Sequence, residues 1–369
     1  MSKTFDVCIR GDGVVGRSLA LLLARERLRV ALLSRPAPPP AQPPAADVRA
    51  YALNSASRSL LQALRVWPDP TFATPVSQMQ VWGDDGGALD FSASSAGQEA
   101  LAWIVDVPAL EQQLAQAVRY QPQIEIVSAP AKAALQVVCE GKASSSRDEF
   151  GVRWTVKSYS QRAIAARLES DRPHGGVARQ WFSGGEIVAL LPLGGLDASA
   201  VALVWSAGLE HADALEQLPA DEFCAALQAV CGAEAGALRL TSERASWPLA
   251  LSNADRWVGS GWALAGDAAH TVHPLSGQGL NLGLADAACL ADVLAQREYW
   301  RALGDEKLLR RYERARKADV AAMGAVTDGL HGLFAQTDER WQMLRNWGMK
   351  GFARSSLLKR WVTQQATGL

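Results

Sequence analysis

Gly11-Asp12-Gly13-Val14-Val15-Gly16 stands between an apolar run, Phe5 to Ile9, and a helix-patterned stretch from Ser18 to Arg27. Three glycines at that spacing, entered from a strand and left by a helix, admit few architectures. Gly11 permits a tight turn, Gly13 lets a pyrophosphate approach the backbone, and Gly16 lets helix and strand pack closely. Arg29 to Leu33 reads as a second strand and completes a βαβ unit of dinucleotide-binding size. The ordinary alternative is a glycine-rich turn in an unrelated α/β protein. One element of the pattern is missing. Where many such folds end the second strand with an acid for ribose hydroxyls, this chain has Ser34 and Arg35, and a serine holds a hydroxyl less strongly than a carboxylate does.

The 369 residues suffice for two domains or for one α/β unit carrying an insertion. With 49% apolar and 20% charged residues, a sizeable core is expected and disorder is not. A formal net charge of -1 gives no electrostatic reason to bind nucleic acid. The five cysteines form no CxxC pair, which points to reduced thiols rather than a disulfide framework or a zinc ribbon. The first strand begins almost at Met1 and no apolar run reaches the ~20 residues needed to span a bilayer, so a soluble cytoplasmic protein is expected.

Beyond the βαβ unit, the proline-rich stretch Pro36 to Pro44 must be a surface connection. Asn54 to Leu64 reads as a helix capped by Asn54, Val76 to Phe91 as a hairpin around Gly86-Gly87, and Pro108 to Tyr120 as another helix. Strand-like pieces (Ile187 to Leu193, Ala200 to Trp205) and one helix near Asp221 to Val230 fill the middle. Leu308 to Asp319 is charged and helical, and the remainder looks mostly helical. The 13 tryptophans are accounted for largely by amphipathic packing.

The densest chemistry lies at Gly266-Asp267-Ala-Ala-His270-Thr-Val-His273-Pro274-Leu275-Ser-Gly277-Gln278-Gly279-Leu280-Asn281-Leu-Gly283. It follows a short strand, Trp262 to Ala265, and leads into an apolar helix ending near Leu294. Asp267, His270 and His273 have a spacing that suggests a metal, but Pro274 and the glycines break any helix that would align them, and no further ligand cluster exists. A hydrolase charge relay lacks its Gly-x-Ser-x-Gly elbow. The third reading is a flavin, with Asp267 on the ribityl chain and the amides of Gly277 to Gly279 facing the ring edge, where a helix N-terminus stabilises negative charge.

Gly11-x-Gly13-x-x-Gly16, Asp47-x-Arg49-x-x-Ala52-Leu53 and the run from Gly266 to Asp286 together resemble the single-component FAD-dependent aromatic hydroxylases, and more narrowly the ubiquinone-biosynthesis hydroxylase family. Trp247-Pro248-Leu249, Leu309-Arg-Arg-Tyr312-Glu-Arg and Arg345-Asn346-Trp-Gly348 fit as well. The resemblance implies an α/β fold with a discontinuous Rossmann-like FAD-binding domain (1–75, 99–150 and 245–330), an inserted β-sheet substrate domain (76–98 and 151–244) and a helical C-terminus (331–369). It implies that Gly11, Gly13, Gly16 and Ser34 serve the adenosine and pyrophosphate end, with Arg49 near the phosphates and flavin. Asp267 would hold the ribityl chain, Pro274, Leu275, Gly277, Gln278 and Gly279 would run along the ring, and Leu280 and Asn281 would open the helix beside it. NAD(P)H would reduce the FAD, O2 would add at C4a, and the hydroperoxide would hydroxylate the ring of a polyprenylated phenol. No catalytic base is assigned.

Departures from the family pattern leave a rival open: an accessory protein with weakened catalysis. Glu140-Gly141-x-x-Ser144-x-x-Arg147 has Glu where the family has Asp, Arg10 precedes the glycine turn, and a β-meander is largely missing between Ser128 and Cys139. A hydroxylase of a small soluble aromatic is the third reading. From Arg340 to Leu369 six Lys or Arg residues stand with no acid among four large aromatics. That stretch is ordinarily a solvated face; the sharper reading is contact with a membrane or a biosynthetic complex.

Overall fold

The structure is a computed structural model that describes residues 4–34, 47–83, 87–272 and 278–335, with side chains in the last helix described as far as 322. β1 (Phe5–Arg10) pairs in parallel with β2 (Val30–Leu33) on one side and β9 (Ala133–Val138) on the other. β8 (Ile124–Val127) extends the sheet past β2, β17 (Trp262–Leu264) extends it past β9, and the antiparallel β16 (Val258–Gly259) closes that edge. The inner strands are near-continuous apolar runs because a parallel sheet is covered on both faces. Val7, Ile9, Val30, Leu32, Leu135 and Val137 face one continuous core. Helices α1 (Val14–Arg25), α3 (Val107–Arg119) and α7 (Gln278–Ala295) pack side by side, with α1 in the middle.

Residues 128–132 alone join β8 to β9, with no meander between them. Arg10 fills part of that face of the sheet. It is 8% exposed and donates to Gln136 Oε1, Ser146 Oγ and Glu149 Oε2, the last two on the short helix α4 (Ser146–Glu149). Its guanidinium lies over Phe150, which stacks on Trp262. The unexpected arginine before the glycine turn is thus a structural strut.

The larger sheet has nine strands. In order they are β18 (His270–Thr271), β15 (Ala245–Ala254), β10 (Trp154–Ser170), β13 (Ala200–Gly208), β12 (Glu186–Pro192), β11 (Val177–Ser183), β5 (Gln78–Trp82) and β6 (Ala88–Ser92), with β14 (Leu238–Leu240) also on β10. Helices α5 (Leu209–Gln217) and α6 (Ala220–Cys231) cover one face through Ala212, Leu215, Phe223 and Leu227 against Trp205, Leu203 and Val188. β5 and β6 form the expected hairpin; Gly86 of its turn lies outside the described residues. Strand pairing crosses the expected boundary at 245, because β15 takes its hydrogen bonds from β10 and passes them on to β18. A small sheet of β3 (Ala50–Leu53), β7 (Ala102–Asp106) and β4 (Ala73–Val76) links the two larger ones. Helix α2 (Ser55–Ala63) starts at Asn54, whose side chain accepts from the Ser57 amide as expected for its cap.

The chain closes with α8 (Glu306–Ala335), which packs on α7 and β16. Among the described residues no helix is long and apolar enough to cross a membrane, and no group of three or more His, Cys, Asp or Glu could hold a metal.

Candidate active site

At the carboxyl end of β1 the chain turns into α1 through the three glycines, and each has a different neighbourhood. Gly11 has φ +110°, and a Cβ there would lie 2.4 Å from the Cys139 carbonyl oxygen. A Cβ on Gly16 would lie 2.0 Å from the Gly11 oxygen. Those two positions are closed by backbone. Around Gly13 no described residue stands within 4 Å of an added Cβ. Gly13 is also the N-cap of α1 and makes no side-chain cap bond, so the first-turn amides open onto free space with the positive end of the helix dipole behind them. This is the chemistry of a phosphate cradle.

A cavity of about 250 Å³ begins there. Its lining combines Gly13 and Val15 of the glycine turn with Asp267, Gly279, and Trp247 and Leu249 of the large sheet. Asp267 sits on a 3-10 turn (Gly266–Ala268) between β17 and β18. Burial pushes its carboxyl up from the usual carboxylate range, and the nearby Lys142 opposes the shift. Among the described residues it takes no hydrogen bond, which suits an acceptor waiting for the hydroxyls of a ligand. Tyr51 lines the same space, its phenol raised by burial and by the Asp267 charge.

Of the expected ring-facing residues, Pro274, Leu275 and Gly277 lie outside the described residues. Gln278 is 8% exposed, and Gly279 and Leu280 line the cavity where α7 begins. Asn281 has another task. Its Oδ1 accepts from the Asn54 amide and from Ser57 Oγ, and its Nδ2 donates to the Ala52 carbonyl. The side chain locks α7 to the β3–α2 corner. Gly283 allows α7 to lie on α1, since a Cβ there would meet Val15 at 2.7 Å.

Ser34 lies at the end of β2 and donates to Asp12 Oδ2 at 2.6 Å, while Arg17 pairs with the same carboxylate at 3.3 Å. The Ser34 hydroxyl is thus committed to the carboxylate inside the glycine turn. Arg49 donates to both oxygens of Asp47 and reaches Glu111 of α3 at 3.3 Å, which raises its pKa, chiefly through the Asp47 hydrogen bonds. From β10, Arg167 pairs with Asp106 at 2.5 Å and donates to the Asp47 carbonyl, so the large sheet holds this corner in place. Glu140 gathers Ser144 Oγ, Ser146 Oγ and the Ser146 amide, which makes it an organiser of its loop. Arg147 leaves that loop to donate to the Ala268 carbonyl and lies over Trp154, its pKa lowered by burial.

Behind the Asp267 turn is a buried charge cluster that sequence reasoning did not assign. Asp286 of α7 is fully buried. Its Oδ2 accepts from the Gly266 amide at 2.9 Å and from His270 Nε2 at 2.7 Å, and its Oδ1 accepts from Arg316 Nε at 2.7 Å. Burial pushes this carboxyl up, but His270 and Arg316 more than offset that and hold it below the usual range. Trp257 stacks on His270 at 4.7 Å, and Tyr312 donates to the Leu264 carbonyl at 2.8 Å. The legible signal was Tyr312, Glu313, Arg316 and Lys317 at helical spacing on a charged helix.

The residues present fit FAD: among the described residues, an uncapped helix end for the pyrophosphate, a carboxylate without a hydrogen-bond partner for the ribityl chain, and an apolar wall beyond. Residues 110–327 match the family described as FAD binding domain. The chain is 30% identical to the ubiquinone hydroxylase UbiL of Rhodospirillum rubrum, over 99% of this chain and 90% of that protein. It is 29% identical to the 3-demethoxyubiquinol 3-hydroxylase of Escherichia coli, over 99% of this chain and 98% of that one. Among solved structures, PqsL of Pseudomonas aeruginosa superposes with a TM-score of 0.78 at 22% identity, covering 95% of this chain and 100% of that one. The p-nitrophenol 4-monooxygenase PnpA of Pseudomonas putida gives 0.77 at 17%, covering 100% and 99%. At such identities these two speak for the fold. The chain belongs to the FAD-dependent aromatic-ring hydroxylases, in the ubiquinone-biosynthesis hydroxylase family.

Proposed function

We propose that this protein hydroxylates the aromatic ring of a polyprenylphenol-type intermediate of ubiquinone biosynthesis, consuming O2 and NAD(P)H, the co-substrate typical of its family. One observation carries the reading: Trp247, Leu249 and Ala250 of the large sheet line the same cavity as Gly13 and Asp267. An aromatic ring set against those side chains would lie beside a cofactor held by the glycine turn. The relatives named for ubiquinone hydroxylation span nearly the whole chain, which supports the substrate class.

FAD, when bound and reduced by NAD(P)H, supplies the activation of O2. The chain's own residues bind and orient. The first-turn amides of α1 would hold the phosphates, Asp267 would accept from the ribityl hydroxyls, and Gln278 to Leu280 would stand at the ring end. Trp247, Leu249 and Val272 make the opposite wall apolar, which excludes water from the reacting oxygen. A lipid-tailed substrate also calls for contact with a membrane surface or a biosynthetic complex from the cytoplasmic side. The basic stretch from Arg340 to Leu369, whose sharper reading is that contact, lies outside the described residues.

The test is NAD(P)H oxidation by the FAD-loaded protein with a prenylphenol in detergent, followed by mass analysis of the product. Faster oxidation with a product heavier by one oxygen is expected. Hydrogen peroxide without hydroxylated product, or turnover of a small aromatic acid alone, would overturn the substrate assignment.

A further inference from the structure

Asp267 stands in a five-residue turn whose two ends are tied to one atom. Oδ2 of Asp286 accepts the amide of Gly266, immediately before Asp267, and Nε2 of His270, three residues after it. The middle of the turn is held from the other side, where Arg147 donates to the Ala268 carbonyl. The second oxygen of Asp286 is taken by Arg316, which is 6% exposed and whose Nη1 is balanced by Asp319 at 2.5 Å. The same stretch of α8 holds the strand that feeds the turn: Tyr312 takes the Leu264 carbonyl and Glu313 accepts from the Trp257 amide. Trp257 in turn stacks on His270.

A buried ionic cluster has no general claim to be stabilising, since desolvation offsets much of the attraction. Well-packed apolar side chains could join α7 to α8 as firmly. What apolar side chains cannot do is accept two donors on one oxygen and thereby fix the distance between residues 266 and 270. Arg316 in turn fixes which way the Asp286 carboxylate faces, because its guanidinium is a rigid planar donor.

We propose that Asp286 and Arg316 are positioning residues for the cofactor: Asp286 sets the place of the Asp267 carboxylate, and Arg316, from the C-terminal helix, sets Asp286. The proposal rests on the reading that Asp267 receives the ribityl hydroxyls. Its consequence is that FAD affinity depends on α8, although in the described residues no α8 side chain lines the cavity.

A double-mutant cycle on FAD binding tests this, read by quenching of flavin fluorescence and by the visible spectrum, with circular dichroism of the apoprotein as the fold control. Asp267→Asn and Arg316→Met should each weaken FAD binding about tenfold, and the double variant should be little weaker than Asp267→Asn alone, since interacting residues are non-additive. Arg316→Lys, which keeps the charge but not the fork, should fall between wild type and Arg316→Met and shift the flavin absorption band. Additive losses, or wild-type affinity in Arg316→Met alongside a weakened Asp267→Asn, would overturn the proposal alone. Wild-type affinity in Asp267→Asn would overturn the reading of Asp267 and the proposal with it. Should Arg316→Met fail to fold, the cycle runs with Arg316→Lys on the same criterion.

Discussion

The two walls of the proposed cofactor cleft are built by opposite means. The glycine-turn wall works by leaving atoms out: Gly11 and Gly16 are pressed against backbone, and Gly13 faces open space. The Asp267 wall works by burying charge: Asp286, His270 and Arg316 are 0%, 2% and 6% exposed. The first wall is built within one strand, one turn and one helix, with the Cys139 backbone after β9 closing on Gly11. The second draws partners from β18, α7 and α8, so its geometry depends on the packing of distant helices. A wall made of backbone should fail sterically and a wall made of charge should fail electrostatically, and the two kinds of failure can be told apart.

The largest expected effect is on the charged wall. Asp286→Ala leaves Arg316 buried beside His270 without its carboxylate, and breaking a buried pair this way costs about 3–5 kcal/mol. The loss should show as a lower urea midpoint at neutral pH. Because the native pKa of Asp286 is depressed, its contribution is complete above the unfolded carboxylate value, about pH 4, and is lost as pH falls through the native value. The stability gap between wild type and variant should therefore narrow as pH falls below about 4. A gap that stays open in acid would mean that Asp286 contributes packing rather than charge.

On the glycine wall the comparison sharpens within a single motif. Gly16→Ala places a methyl 2.0 Å from the Gly11 oxygen, and overpacking against backbone should lower stability by about 1–3 kcal/mol. Gly13→Ala meets nothing within 4 Å, and losing a glycine N-cap for alanine should cost no more than about 1 kcal/mol. Its effect should instead appear in FAD affinity, with a loss of about tenfold, or ~1.4 kcal/mol, as the methyl enters the space kept for the pyrophosphate. Thermal melts with and without FAD measure both. Equal FAD affinity in wild type and Gly13→Ala would mean that the open space is not the phosphate site.

The contrast between the walls also explains what could be read in advance. The β1–α1–β2 unit, the Asn54 cap, the 76–91 hairpin and α3 all declare themselves through local signals, and each is found. β10 does not, because residues 155–158 are exposed and the register shifts between Ser158 and Arg162, so no period of two survives along its 17 residues. Asn281 was legible as a polar residue at a helix start but not as a tie to Ala52 and Ser57, more than two hundred positions away. Asp286 could be read as part of a motif, yet its partner Arg316 is specified only once α7 and α8 are packed.

The smallest effect expected is at Ser34, and it decides what the serine is for. If it stands in for the missing ribose acid, Ser34→Ala should weaken FAD and Ser34→Asp should tighten it. The structure gives its hydroxyl proton to Asp12 at 2.6 Å, which predicts a different pair of outcomes. Ser34→Ala should lower stability by about 1 kcal/mol through one lost hydrogen bond and leave FAD affinity within about twofold. Ser34→Asp should weaken FAD binding, because a second carboxylate would stand against Asp12, whose present neighbours are the Ser34 donor and Arg17. Titrating FAD into the two variants reads both signs at once. Tighter binding by Ser34→Asp would return the ribose role to the end of β2; weaker binding places it with Asp12, inside the glycine turn itself.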